Sequence, residues 1–145
     1  MITVAKTAGF CYGVKRAVDH VYKQAETGEK TATIGPIIHN PQVIADLASK
    51  GVRAYDRVKD IPDGYTAVIR AHGVPQRVYD ELEGRPYIDL TCPFVAKIHK
   101  IVHEHHQKGY QIVIVGDKKH PEVIGINGWC GDSAIIINSP DEQID

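Results

Sequence analysis

Cysteine, methionine, tryptophan and phenylalanine are scarce in this chain, with 3, 1, 1 and 2 copies among 145 residues. Three cysteines do not make a disulfide framework, and an odd count leaves one over from any pairing. The thiols therefore read as ligands or nucleophiles in a reducing, cytoplasmic compartment. Neither sign of charge is in excess, because 17 Lys and Arg face 18 Asp and Glu for a net charge of −1. Without a basic surplus there are few groups to displace counterions from a polynucleotide, which argues against a nucleic-acid partner. Long apolar runs are absent as well. Ile112–Val115 and Ala134–Ile137 are strand-sized, far short of a bilayer span, so no membrane partner is expected. The opening Met1–Lys6 lacks the basic stretch and apolar core of a signal peptide. What remains is 43% hydrophobic and 24% charged, the profile of a soluble globular protein.

The chain alternates strand and helix patterns. Ile2–Ala5 reads as a first strand, followed by Val14, Ala17, Val18, Val21, Tyr22 and Ala25 at helical spacing, with Gly28 as the stop. Thr31–Ile34 is a second strand. Asn40-Pro41 supplies a cap and a first-turn proline for a helix that Gly51 closes. Val52–Tyr55, Tyr65–Ala71 and Tyr87–Leu90 read as strands, with Pro75–Leu82 as a short helix between the last two. Pro93 opens a long helix whose inner stripe is expected to be Phe94, Val95, Ile98, Ile101 and Val102. Tyr110–Val115 and Ser133–Ile137 read as strands buried on both faces. The Ser139–Asp145 end has the look of a capped helix start. Such repeated units imply an α/β fold of about seven strands in one parallel sheet or two small ones, flanked by helices. Gly84-Arg85-Pro86 and Cys92-Pro93 are the candidate boundaries.

Reactive side chains recur at one place in this pattern. Cys11 precedes the first helix, His39 follows the second strand, and His72, Cys92 and His120 follow later strands. In open α/β sheets, ligands bind outside the carboxyl ends of the strands. One His or Cys in such a loop is most often structural; five on one edge are a site. Thiols and imidazoles together suit a metal or cluster facing an anionic ligand.

Common motifs fail. There is no Gly-x-Gly-x-x-Gly and no Gly-x-x-x-x-Gly-Lys, and Cys11 to Arg16 is one residue short of the thiol-phosphatase spacing. His103-Glu-His-His-Gln107 places Gln where a zincin needs its second His. His99 and His103 share a helix face that could hold a metal, but an exposed polar face is the reading preferred. Cys130 reads as a small buried residue, with no Cys-x-x-Cys pair to suggest structural zinc.

Five segments resemble one family in order: Ala8-Gly-Phe-Cys11-Tyr-Gly-Val-Lys-Arg-Ala-Val, Gly35-Pro-Ile-Ile-His39-Asn-Pro, Ile69-Arg-Ala-His72-Gly-Val-Pro, Asp89-Leu-Thr-Cys92-Pro, and His120-Pro-Glu122-Val. They are similar to the motifs of the 4-hydroxy-3-methylbut-2-enyl diphosphate reductases, which end the non-mevalonate isoprenoid pathway. The resemblance implies similar α/β domains around a [4Fe–4S] cluster, with Cys11 and Cys92 as two of its three ligands. It implies His39, His72 and His120 on the substrate diphosphate, Glu122 as proton relay, and ferredoxin or flavodoxin as electron donor. The family's third cluster Cys and the Ser and Asn of its diphosphate site lie further along than Asp145. Residues 1–90 would thus be a first domain and 91–145 an incomplete second, the third being absent. A chain of this extent is expected to be an inactive fragment. The alternative is a non-catalytic diphosphate- or metal-binding module, and a weaker one is a thiol enzyme using Cys11 at a helix N-terminus.

Overall fold

The structure, a computed structural model, describes residues 1–139, 141 and 142. It is an α/β fold with two parallel sheets. The elements run α1 (Tyr12–Glu26), β1 (Thr31–Ile34), α2 (Pro41–Ser49), β2 (Arg53–Tyr55), a 3-10 turn (Val58–Asp60), β3 (Thr66–Ile69), α3 (Gln76–Glu81) and β4 (Tyr87–Asp89). Then follow α4 (Pro93–Gln107), β5 (Val113–Val115), α5 (Pro121–Gly128) and β6 (Ile135–Ile137). Strand order is β2-β1-β3-β4 in the larger sheet and β5-β6 in the smaller. Ile34 pairs with both Tyr55 and Ile69, and Ile69 with Asp89, so these strands end level at their carboxyl edge.

Alternation along the strands sorts the core into two layers. Val68 points to one face, where Ala17, Val18 and Val21 of α1 and Leu47 of α2 cover it. Ala67 and Ile69 point to the other, against Val58, Ile61, Val74 and Leu82. A sheet covered on both faces is buried along its length, as the run Ala67–Ile69 and the whole of β1 are, Thr31 and Thr33 of β1 included. The turns follow local chemistry. Asn40 caps α2 by accepting from the Val43 amide at 3.1 Å, with Pro41 at the first helical position.

Four expectations fail. Ile2–Ala5 forms no strand; residues 1–10 are exposed throughout, and an extended apolar tetrapeptide with no partner strand has nowhere to place its amides. In α4 the buried stripe is Val95, His99 and Val102, while Phe94, Ile98 and Ile101 face outward. Both sets have the same i, i+4, i+7 spacing, and the set containing His99 is inward because Trp129 stacks on that ring at 5.3 Å. The exposed polar face expected for His99 is therefore also corrected. β5 is not buried on both faces: Val113 and Val115 are 45% and 78% exposed, since the smaller sheet is covered on one side only. The helix start expected at Ser139–Asp145 lies partly outside the described residues, at Pro140 and 143–145; within them the Ser139 side chain accepts from the Asp141 amide at 3.2 Å and its carbonyl from the Glu142 amide at 3.1 Å. Gly84-Arg85-Pro86 is tied into the larger sheet, with the Ala67 amide on the Pro86 carbonyl at 2.9 Å. Cys130 is buried as expected, its Sγ donating to the Asn127 carbonyl at 3.1 Å.

Candidate functional site

Three loops converge at the carboxyl edge of the larger sheet. Gly35, at φ +69°, turns the chain off β1 toward His39, which the cap of α2 then fixes. His72 stands three residues past β3, in a turn closed by the Gly73 amide on the Arg70 carbonyl at 2.9 Å. His120 is the N-cap of α5, its Nδ1 accepting from the Glu122 amide at 3.2 Å. The ring centroids of His39, His72 and His120 form a triangle with sides of 5.3, 6.0 and 6.4 Å. They come from positions 33 and 48 residues apart in sequence, so the fold brings them together.

His39 and His120 are exposed and His72 is half-buried. Burial, and then the positive charges of Arg70, His39 and His120, push the His72 pKa down to about 4. Its Nδ1 is buried without a hydrogen-bond partner among the described residues. His72 is therefore neutral near pH 7 until an anion enters, and an anion would favour its charged form. The cap likewise fixes the tautomer of neutral His120: Nδ1 accepts, so Nε2 carries the hydrogen. Glu122 sits half-buried in the first turn of the same helix. Three imidazoles and a helix N-terminus beside a carboxyl group are chemistry suited to an anion.

The thiols lie on the same edge. Cys92 continues the ladder beyond β4, its amide donating to the Ala71 carbonyl at 2.9 Å, which sets it beside His72. It is also the N-cap of α4, as Cys11 is of α1, and neither thiol makes a capping hydrogen bond. Cys11 follows no strand, contrary to expectation, and is exposed. The two are nonetheless close. A Cβ on Gly13 would lie 2.6 Å from the Cys92 Sγ, so only glycine fits there. Cys11 is two peptide steps from Gly13, at most about 7.6 Å between Cα atoms. Two free thiols at helix N-termini fit thiolate ligation, since the helix end favours negative charge.

Among the described residues no group of three or more His, Cys, Asp or Glu is arranged to hold a metal ion. Ligands of a cluster bind different irons and stand further apart than ligands of one ion. Cys130 does not join the pair, being buried against Asn127 on the far side of α5 from its N-terminus. A groove lined by Arg57, Tyr65, Glu81 and Arg85 opens at the opposite, amino-terminal edge of β3 and β4, away from these residues.

Sequence reasoning missed several contributors. Arg16 donates from Nη2 to the Thr91 carbonyl at 2.7 Å; only its place in the first motif marked it. Arg70 lies across Gly35, where a Cβ would come 2.8 Å from Nη1, and burial lowers its pKa. Gly125 and Gly128 let α5 lie flat on the turn after His72, a Cβ at Gly128 falling 2.3 Å from Pro75. None of these glycines belongs to a recognisable phosphate loop, so spacing did not reveal them.

No helix among the described residues is long and apolar enough to cross a membrane. The family model for LytB protein matches residues 2–145. The 4-hydroxy-3-methylbut-2-enyl diphosphate reductase of Thermoanaerobacter sp. (strain X514) is 50% identical over 97% of this chain and 51% of its own length. That of Clostridioides difficile (strain 630) is 46% identical over 98% of the chain and 52% of its own. The chain thus spans about half the length of the curated relatives it matches. A solved structure of the (E)-4-hydroxy-3-methyl-but-2-enyl diphosphate reductase, the terminal enzyme of the non-mevalonate pathway, aligns with a TM-score of 0.78 at 39% identity, covering 97% of this chain and 52% of that one. The reductase from Plasmodium falciparum aligns at 0.86 with 27% identity, over 97% and 46%. A match along nearly the whole chain, carried by both sequence and fold, places this protein in the LytB family.

Proposed function

We propose that these residues form the diphosphate-binding and part of the cluster-holding side of a 4-hydroxy-3-methylbut-2-enyl diphosphate reductase. The observation that carries this reading is the triangle of His39, His72 and His120, with Cys92 held one ladder step from His72. Imidazole N–H groups and the N-terminus of α5 suit a diphosphate. His72 takes up a proton as the anion binds, which matches charge to charge only when the ligand is present. Glu122, two residues past His120 in the first turn of α5, is the proton donor to the departing hydroxyl in this reading. The overall change is cleavage of the allylic C–O bond, with two electrons and two protons consumed, water released, and isopentenyl or dimethylallyl diphosphate formed. A [4Fe–4S] cluster, held in part by Cys11 and Cys92, would supply the electrons, drawn from ferredoxin or flavodoxin. Residues 1–90 and 91–145 are proposed as separate domain portions.

Calorimetry with pyrophosphate tests the anion site. Binding by the chain, weakened at least tenfold by His72→Ala, is expected; equal binding by both would sink the assignment. Iron and sulfide counting after anaerobic reconstitution tests the second part. Two site thiols leave a cubane short of protein ligands, so the isolated 145-residue chain is expected to hold no intact four-iron cluster and to be inactive. A stable four-iron cluster would overturn this and leave the anion result standing. A non-catalytic diphosphate-binding module shares the His triangle; cluster-dependent turnover by a chain that includes a third ligand separates the two.

A further inference from the structure

We propose that Arg16 is a positioning residue for the Cys11–Cys92 pair, the clamp that sets the first turns of α1 against the residue preceding Cys92. The proposal rests on the reading of those two thiols as partners at one site. Arg16 reaches across 75 residues of sequence to donate from Nη2 to the Thr91 carbonyl at 2.7 Å. Thr91 is buried, and its carbonyl belongs to the peptide that leads into Cys92. One turn earlier on α1, Gly13 is packed so closely on the Cys92 sulfur that a Cβ would stand 2.6 Å from it. These are independent contacts, one directional and one steric, between the start of α1 and Thr91-Cys92.

The two thiols depend on this contact unequally. Cys92 is held by the sheet through its amide on Ala71. Cys11 has no such anchor: it is exposed, the ten residues before it are exposed, and its side chain makes no capping bond. Where Cys11 stands relative to Cys92 is therefore decided by how α1 lies on the sheet. Ala17, Val18 and Val21 bury the apolar face of α1, but apolar burial is non-directional and permits rolling or sliding. A hydrogen bond has a required direction and length, and so defines register. Arg16 supplies that bond. It takes part in no ion pair among the described residues, and its Nε is buried with no hydrogen-bond partner among them, so its one side-chain hydrogen bond there is to the Thr91 carbonyl.

The test uses capture of the thiol pair by phenylarsine oxide, which needs no iron. The reagent condenses with two nearby thiols, forming two As–S bonds and releasing its oxygen as water; a monothiol competitor strips singly bound reagent. The full 145-residue chain is expected to retain one equivalent, and Cys11→Ser and Cys92→Ser are each expected to abolish retention. Arg16→Gln is expected to weaken capture at least tenfold at unchanged far-ultraviolet dichroism. Arg16→Lys, which keeps a donor and guards against an unfolded Gln variant, is expected to weaken it three- to tenfold. Capture by folded Arg16→Gln or Arg16→Lys equal to wild type overturns the clamp and leaves the thiol pair intact. Absence of capture by wild type, or capture that survives Cys11→Ser, overturns the pairing and the proposal with it.

Discussion

The larger and smaller sheets use the same parallel β-α grammar and bury it very differently. In the four-stranded sheet, helices cover both faces, and Ala67, Val68 and Ile69 of β3 have no exposed surface. In the two-stranded sheet, Val115 of β5 is largely in solvent. His39 and His72 are carried by the first, His120 and Glu122 by the second. The site therefore joins a rigid half to a thinly covered half, and its geometry depends on the seam. That seam is the Gly125–Gly128 surface of α5 on the Gly73–Pro75 turn, with Trp129 bridging to Val74 through a 3.0 Å hydrogen bond.

Three comparisons would break or sharpen this contrast, from the largest expected effect to the smallest. Ile69→Ala removes a side chain with no exposed surface and should destabilise by about 2–5 kcal/mol. Val115→Ala, on the exposed strand, should stay within about 0.5 kcal/mol. Urea denaturation compares the two, and similar losses would mean the sheets share one depth of burial.

The second concerns pH at the seam. Burial pushes the His99 pKa down to about 4, opposed by Asp89, and the ring is 3% exposed. Unfolding restores a value near 6.5, so between these limits the unfolded chain binds the proton and the folded chain refuses it. Stability should be intact above about pH 6.5 and fall by up to about 3 kcal/mol toward pH 4. His72 titrates in the same sense, so His99→Phe should flatten the melting-temperature profile only in part. A profile unchanged by that substitution would remove His99 as a cause.

The smallest is Trp129→Phe, which keeps a ring against His99 but orphans the Val74 carbonyl, at a cost of about 1 kcal/mol. If the seam governs the site, this variant should weaken pyrophosphate binding more than Val115→Ala does. The reverse order would place the weak point in β5 instead.

Much of the fold is local and was legible for that reason. Asn40-Pro41 carries its own cap, Thr31–Ile34 its own strand, and His39, His72, Cys92 and His120 their position past strand ends. Failures came where a distant partner decides. The two stripes of α4 are equivalent until Trp129, 30 residues past His99, selects one. Ile2–Ala5 has strand composition, but pairing is a property of neighbours. Glu122 came to notice through resemblance alone, because a first-turn acid is ordinary helix chemistry. Arg16 announces nothing by itself; its meaning lies in a carbonyl 75 residues away.

The cap of α5 has a consequence for the site's proton economy. The lone pair of His120 Nδ1 is committed to the Glu122 amide, so the ring presents its hydrogen only from Nε2. The amide held is that of Glu122 itself, so one imidazole seats the neighbouring acid and keeps its other nitrogen as a donor.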